Sequence, residues 1–143
     1  MNLPQQLKKN LQDELDFIIK RMKEEPDLTK KIYFYSAVHA ALERASRSYF
    51  DRELLIANAI TTLSYNAIND RVNHLRMGET IVPFTENLVD QLIASVSDLK
   101  QAVEEDKSAY PALEKAMEVT YMATGPGFYT RSFLQYAEAQ HRS

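Results

Sequence analysis

The sequence predicts an all-α protein, an up-and-down antiparallel four-helix bundle with two shorter C-terminal helices, about six helices in all. Three observations carry this expectation. Apolar residues recur at steps of three and four along most of the chain, as in Leu3, Leu7, Leu11, Leu15, Ile18 and Met22. Only three Gly and five Pro interrupt 143 residues, and no alternating strand pattern bounded by turn dipeptides occurs. The four long amphipathic stretches are joined by short connections, which favours antiparallel neighbours. A chain of 143 residues fits one domain, 1–143, and at that size about 68% of the unfolded surface can be buried without disulfide or metal support.

The first helix ends near Glu25 and Pro26, because the residue before a proline is pushed out of the helical region. Lys8, Lys9, Asp13, Lys20 and Lys23 fall mostly opposite its apolar stripe. Asp27 or Thr29 caps the second helix, whose stripe is Phe34, Val38, Ala41, Ala45 and Tyr49. Extending that stripe lands on Arg52 and Glu53, whereas the next apolar stripe is Ile56, Ile60, Leu63 and Ala67; a break is therefore expected between Ser48 and Asp51. No Gly or Pro enforces it, so one continuous helix is the alternative.

The third helix runs to about Met77, and "GETIVPF" around Gly78 and Pro83 leads to Thr85 as an N-cap. Leu88, Leu92, Val96, Leu99 and Val103 define the fourth helix. Ser108 and Pro111 start a shorter fifth, carrying Leu113, Met117 and Tyr121, and a sixth with Phe133 and Ala137 follows Gly127. "ATGPGFYTR", residues 123–131, reads as the stop of one helix and the start of the next, with Gly125 in the left-handed position and Pro126 blocking continuation. A phosphate cradle there would use the backbone of Gly125 and Gly127 with Thr130 and Arg131, but the spacing matches neither phosphate-loop pattern and no strand precedes it.

Composition narrows the function classes. Seventeen Lys+Arg against twenty Asp+Glu give a net charge of −3 with the signs interleaved, which argues against a nucleic-acid partner. No apolar run reaches membrane-spanning length, and the first residues lack the apolar core of a signal peptide, so no membrane partner or export is expected. The absence of cysteine removes disulfides, thiolate metal sites and thiol nucleophiles and makes a cytoplasmic setting the expectation.

Two constellations stand out. Continuing the Ile56, Ile60, Leu63, Ala67 stripe reaches Asp70, Arg71 and His74, so charge takes over the core-facing side. Asp70 and His74 are four apart and close enough for the carboxylate to orient the imidazole. This is either a helix end that outruns the core or a polar pocket for an anion or small polar ligand, lined by Asp70, Arg71, His74 and Arg131 with Tyr33, Tyr35 or Phe128 nearby. The second is a neutral polar stripe, Asn58, Thr62, Asn66, Asn69 and Asn73. Asn is up to about 0.7 kcal/mol worse than Ala in a helix, so an ordinary solvated face would more readily use Glu, Lys or Gln, and a helix or subunit contact is one explanation. Tyr33, Phe34 and Tyr35 cannot all point inward on one helix, which makes Tyr33 or Tyr35 an interface candidate.

No metal or cofactor is expected. A ferritin-like site needs two Glu-x-x-His pairs and the chain has one, Glu138 to His141. His39 with Glu43 and Asp70 with His74 fall about 15 Å apart on antiparallel helices. Arg44, Arg47 and Arg52 read as a solvated turn at the opposite end. The bundle outline resembles that of cobalamin adenosyltransferases and small helical HEPN ribonucleases. However, "ALERASR" (41–47) lacks paired arginines before a Glu, and Arg71 to His74 is spaced too closely for Arg-x4-6-His, so neither resemblance holds. The expectation is a non-enzymatic interaction or scaffold bundle that self-associates as a dimer through Asn58, Asn66, Tyr33 and Tyr35. The alternative is a small-molecule- or anion-binding bundle, with His74 as acid and base if it is an enzyme.

Overall fold

The computed structural model describes residues 1–76, 86–124 and 139, without the side chains of 72–76. These residues form an all-α fold of five helices: α1 (Gln5–Glu24), α2 (Leu28–Ser48), α3 (Arg52–Arg76), α4 (Glu86–Glu104) and α5 (Tyr110–Thr124). Of the expected sixth helix only residue 139 is described, and Arg131, the glycines of "ATGPGFYTR", Thr85 and "GETIVPF" lie outside the described residues.

Each boundary has a chemical cause. α1 buries Leu11, Leu15, Ile18, Ile19 and Met22 and stops where Glu25 turns extended before Pro26. Asp27 caps α2 by accepting the N–H groups of Thr29 at 2.8 Å and Lys30 at 3.2 Å. The buried Lys31 reaches back to donate to the carbonyls of Met22 at 2.7 Å and Lys23 at 3.4 Å, placing a cation on the C-terminal end of α1. The break between α2 and α3 is real: Tyr49 is extended, and Asp51 accepts the Leu54 N–H at 2.9 Å as the cap of α3. A cap does here what no Gly or Pro was present to do. α4 closes with Asp106 in the left-handed region (φ 54) while the Lys107 N–H returns to the Ala102 carbonyl at 2.9 Å. Asp tolerates that conformation better than most residues, and Lys8 holds its carboxylate at 3.0 Å.

The packing departs from a four-helix bundle with closing helices. α1 lies against α2 and α4, α2 against α3, and α5 sits between α3 and α4, whose backbones do not approach each other among the described residues; α2 and α4 meet across the middle. The fifth helix is therefore a full member of a five-helix ring. Surface ion pairs mark the antiparallel neighbours: Glu14 with Arg44 at 3.1 Å, Asp16 with Lys100 at 2.6 Å and Asp98 with Lys115 at 2.8 Å. Each is solvent-exposed enough to contribute only about 0–1 kcal/mol.

α3 and α5 run parallel, and two buried polar contacts set their register. Glu53, 3% exposed, accepts the Ala109 N–H at the start of α5, and Ser64 and Thr120 share a buried hydroxyl hydrogen bond of 2.6 Å; both contacts span 56 residues. Glu53 also faces the buried α-ammonium of Met1 at 3.4 Å, which in turn donates to the Lys107 carbonyl at 3.1 Å. One carboxylate thus joins residue 1, the first turn of α3 and the start of α5. Glu53→Ala should lower unfolding stability by about 3–5 kcal/mol, because it leaves a buried ammonium and a buried N–H uncompensated. Urea unfolding checks this, and a loss under about 1 kcal/mol would show that the contact is incidental.

Candidate functional site

The third helix buries only part of the stripe that hydropathy suggested: Ile60 is fully covered and Ile56 packs against the core. Its covered face is Leu54, Ala57, Ile60, Thr61, Ser64 and Ile68, each at most 3% exposed, whereas Leu63 is 45% exposed and Ile56 and Ala67 are half-buried. The helix is rotated because two neighbours approach it closely, where small and hydroxyl side chains fit and their polar atoms are satisfied locally. Thr61 Oγ1 donates to the Ala57 carbonyl at 2.9 Å, and Ser64 bonds Thr120.

The rotation separates two of the predicted ligand residues. Adjacent positions on a helix differ by about 100°. Asp70 falls on the exposed side, while Arg71 continues the covered face beyond Ile68 and is half-buried. Arg71 Nε is buried and has no hydrogen-bond partner among the described residues. The side chain of His74 and all of Arg131 lie outside the described residues, so the pocket drawn from Asp70, Arg71, His74 and Arg131 is represented there by Arg71 and Asp70 pointing apart.

The interface candidates also divide. Tyr33 is 65% exposed, with its ring edge-on to Phe34 at 6.2 Å; Phe34 in turn carries the Arg21 guanidinium at 5.0 Å. Tyr35 is 1% exposed and belongs to the core, so of the two tyrosines only Tyr33 is open to a partner. Asn58 and Asn69 are half-buried and Asn66 is exposed. Their stripe lies on the shoulder of α3 toward α2, beside Tyr65, whose ring meets the half-buried His39 at 6.0 Å. The Asn58 carbonyl accepts Thr62 Oγ1 at 2.7 Å.

No protein-family model, curated protein or solved structure matches the chain.

A void lined by Tyr35, Thr61, Ser95, Ala112 and Ala116 has a volume of about 10 Å³, room for one water at most. An open groove of about 460 Å³ between α1 and α4 is lined by Asp16, Lys23, Lys100, Glu104 and Glu105 among others, with charges of both signs. Its Lys100 has a raised pKa, held by its hydrogen bond to Asp16. Among the described residues no three His, Asp or Glu side chains gather where a metal ion could be held. At the other end of the bundle, Arg44 pairs with Glu14 and Arg47 with Glu43, both in solvent.

The feature that sequence reasoning missed is the outward face of α3. Arg52, Leu55, Ala59, Leu63, Asn66 and Asp70 are all exposed and lie within about 80° of one another on the helix. Leu55 and Leu63 are 40% and 45% exposed, and on α5 Tyr121 and Met122 are 48% and 50% exposed at about the level of residues 65 and 66. The signal was present: α3 carries two apolar stripes, and only one can face the core.

Tyr35 generates a prediction. Its hydroxyl is buried without a hydrogen bond of ordinary geometry, and the neighbouring Ser64 hydroxyl is committed to Thr120. Burial pushes the phenol from 10.0 up to about 12, offset only in part by Ser64. The folded-state value lies above the unfolded one, so the stabilisation is complete below pH 10 and is lost as pH rises from 10 to about 12. Tyr35→Phe should match or exceed wild-type stability at neutral pH, by up to about 1 kcal/mol. It should also lose less stability than wild type between those pH values, by roughly 2–3 kcal/mol. Unfolding midpoints across the range check both, and parallel pH curves for the two proteins would contradict the assignment.

Proposed function

We propose that the protein is a non-enzymatic helical interaction module that self-associates, with a dimer as its working form. The observation that carries this reading is the apolar surface left open on α3, where Leu55 and Leu63 remain 40% and 45% exposed, with Tyr121 48% exposed on the adjacent α5. Scattered single apolar residues are ordinary on a protein surface, but a group on two adjacent helices, mixed with neutral amides, is the composition of a contact face. Asn66 belongs to that face and Asn58 to its shoulder, which gives the polar stripe a place in the contact. Tyr33 on α2 is a separate exposed aromatic that suits a further partner. Sedimentation velocity over a wide concentration series tests the reading: a mass of two chains at the upper concentrations is expected, and a single-chain mass throughout contradicts it.

A second reading rests on Arg71. A half-buried guanidinium whose Nε has no partner among the described residues suits an anion at the end of α3. On this reading inorganic phosphate raises the thermal midpoint of the wild type and leaves Arg71→Gln unchanged. Equal responses in the two proteins remove it.

A further inference from the structure

This inference rests on the self-association reading and specifies how a second copy docks. The outward face of α3 begins with a cation and ends with an anion. Arg52 and Asp70 are about five turns and roughly 27 Å apart, on the same side of the helix. Between them the face is neutral: Leu55, Ala59, Leu63 and Asn66. Arg52 makes no ion pair among the described residues.

A closed dimer needs a surface complementary to itself, because a twofold axis sets each residue against its symmetry mate across the seam. Two α3 helices laid antiparallel, with the axis near Thr61, meet that requirement. Arg52 of each copy then faces Asp70 of the other, at both ends of the seam. Ala59 faces Leu63, a small side chain against a large one on either side of the axis, and Leu55 comes within one position of Asn66. Tyr121, on the neighbouring α5, is 48% exposed at about the level of Tyr65. A parallel seam would set Arg52 against Arg52 and Asp70 against Asp70, like charges at both ends, which complementary interfaces avoid.

We infer that the exposed face of α3, from Arg52 to Asp70, is a homodimer interface in which two copies pack antiparallel, with Arg52 of each copy against Asp70 of the other. The partner is a second copy of this chain because the same short face supplies both charges in mirrored positions. A different acidic or basic partner would be satisfied by one end and repelled by the other.

Charge reversal tests this in a way that separates it from the reading beneath it. All the altered residues are exposed, so the variants should keep the wild-type helical circular dichroism. Arg52→Glu makes both ends of the face acidic, and Asp70→Arg makes both ends basic. Each variant alone should self-associate about tenfold more weakly than wild type, whereas an equimolar mixture should form a heterodimer in which both end pairs are opposite in sign. Leu63→Glu should weaken association at least as much as either charge variant.

Native mass spectrometry and sedimentation velocity read all the species. A wild type that is monomeric at every concentration overturns the self-association reading and this inference with it. A monomer destabilised by Leu63→Glu would further show that another part of the same chain covers the face. A wild-type dimer whose mass is unaffected by the three substitutions, with no heterodimer on mixing, overturns the α3 seam while leaving self-association standing.

Discussion

The parallel alignment of α5 with α3 is the constraint from which the rest of the arrangement follows. Parallel neighbours align their helix dipoles unfavourably, and the closing connection must travel the length of the bundle, here along α4. The fold offsets this with two buried polar contacts that fix one register. At the lower end Glu53 accepts the Ala109 N–H just before α5 and faces the Met1 ammonium, and at mid-height Ser64 and Thr120 close a hydroxyl bond of 2.6 Å. Small residues permit the approach, with Ala57 on α3 and Ala112, Ala116 and Ala123 on α5 all buried. With α2 on one flank and α5 on the other, α3 has only one direction left to present to solvent.

The helices themselves were largely legible. α1 displays its whole apolar stripe, Asp27 and Asp51 are capping residue types at the right distance from the following stripe, and the α2/α3 break shows as a slip in periodicity. What hydropathy obscured was the side of α3 that faces inward. Thr61 and Ser64 look polar but are buried at 3% and 0% exposure because neighbouring carbonyl and hydroxyl groups satisfy them, whereas Leu63 looks like core and is not. A period count weighs side chains by hydropathy and has no means of knowing that a hydroxyl has found a partner 56 residues away.

That single rotation explains most of the difference in the candidate sites. Extending the wrong stripe gathered Asp70 and Arg71 on one face; extending the right one sends Arg71 toward the covered side and Asp70 to the surface. It also turns Leu55, Ala59 and Leu63 outward together as the most coherent exposed surface on α3, and of these only Leu63 belonged to the expected core stripe. The position of α5 was hidden for a similar reason. Its 15 residues suggested a closing helix, yet eight of them are buried, and its place in the ring is dictated by long-range contacts that no local pattern encodes. The functional proposal is therefore a consequence of packing: the face offered to a partner is what remains after α2 and α5 have covered the rest.

The most direct test is a designed disulfide across the parallel pair. The chain contains no cysteine, so Ser64→Cys with Thr120→Cys introduces two thiols without background. Side-chain oxygens 2.6 Å apart place the replacement sulfurs close to bonding distance. The account predicts rapid intrachain cross-linking under mild oxidation and an oxidised protein about 2–4 kcal/mol more stable than its reduced form. It also predicts that Ser64→Cys combined with Met117→Cys or Ala123→Cys cross-links far less well. Failure of the 64/120 pair to close, or preferential closure of either of the others, would contradict the register and with it the orientation of α3 on which the proposed interface depends.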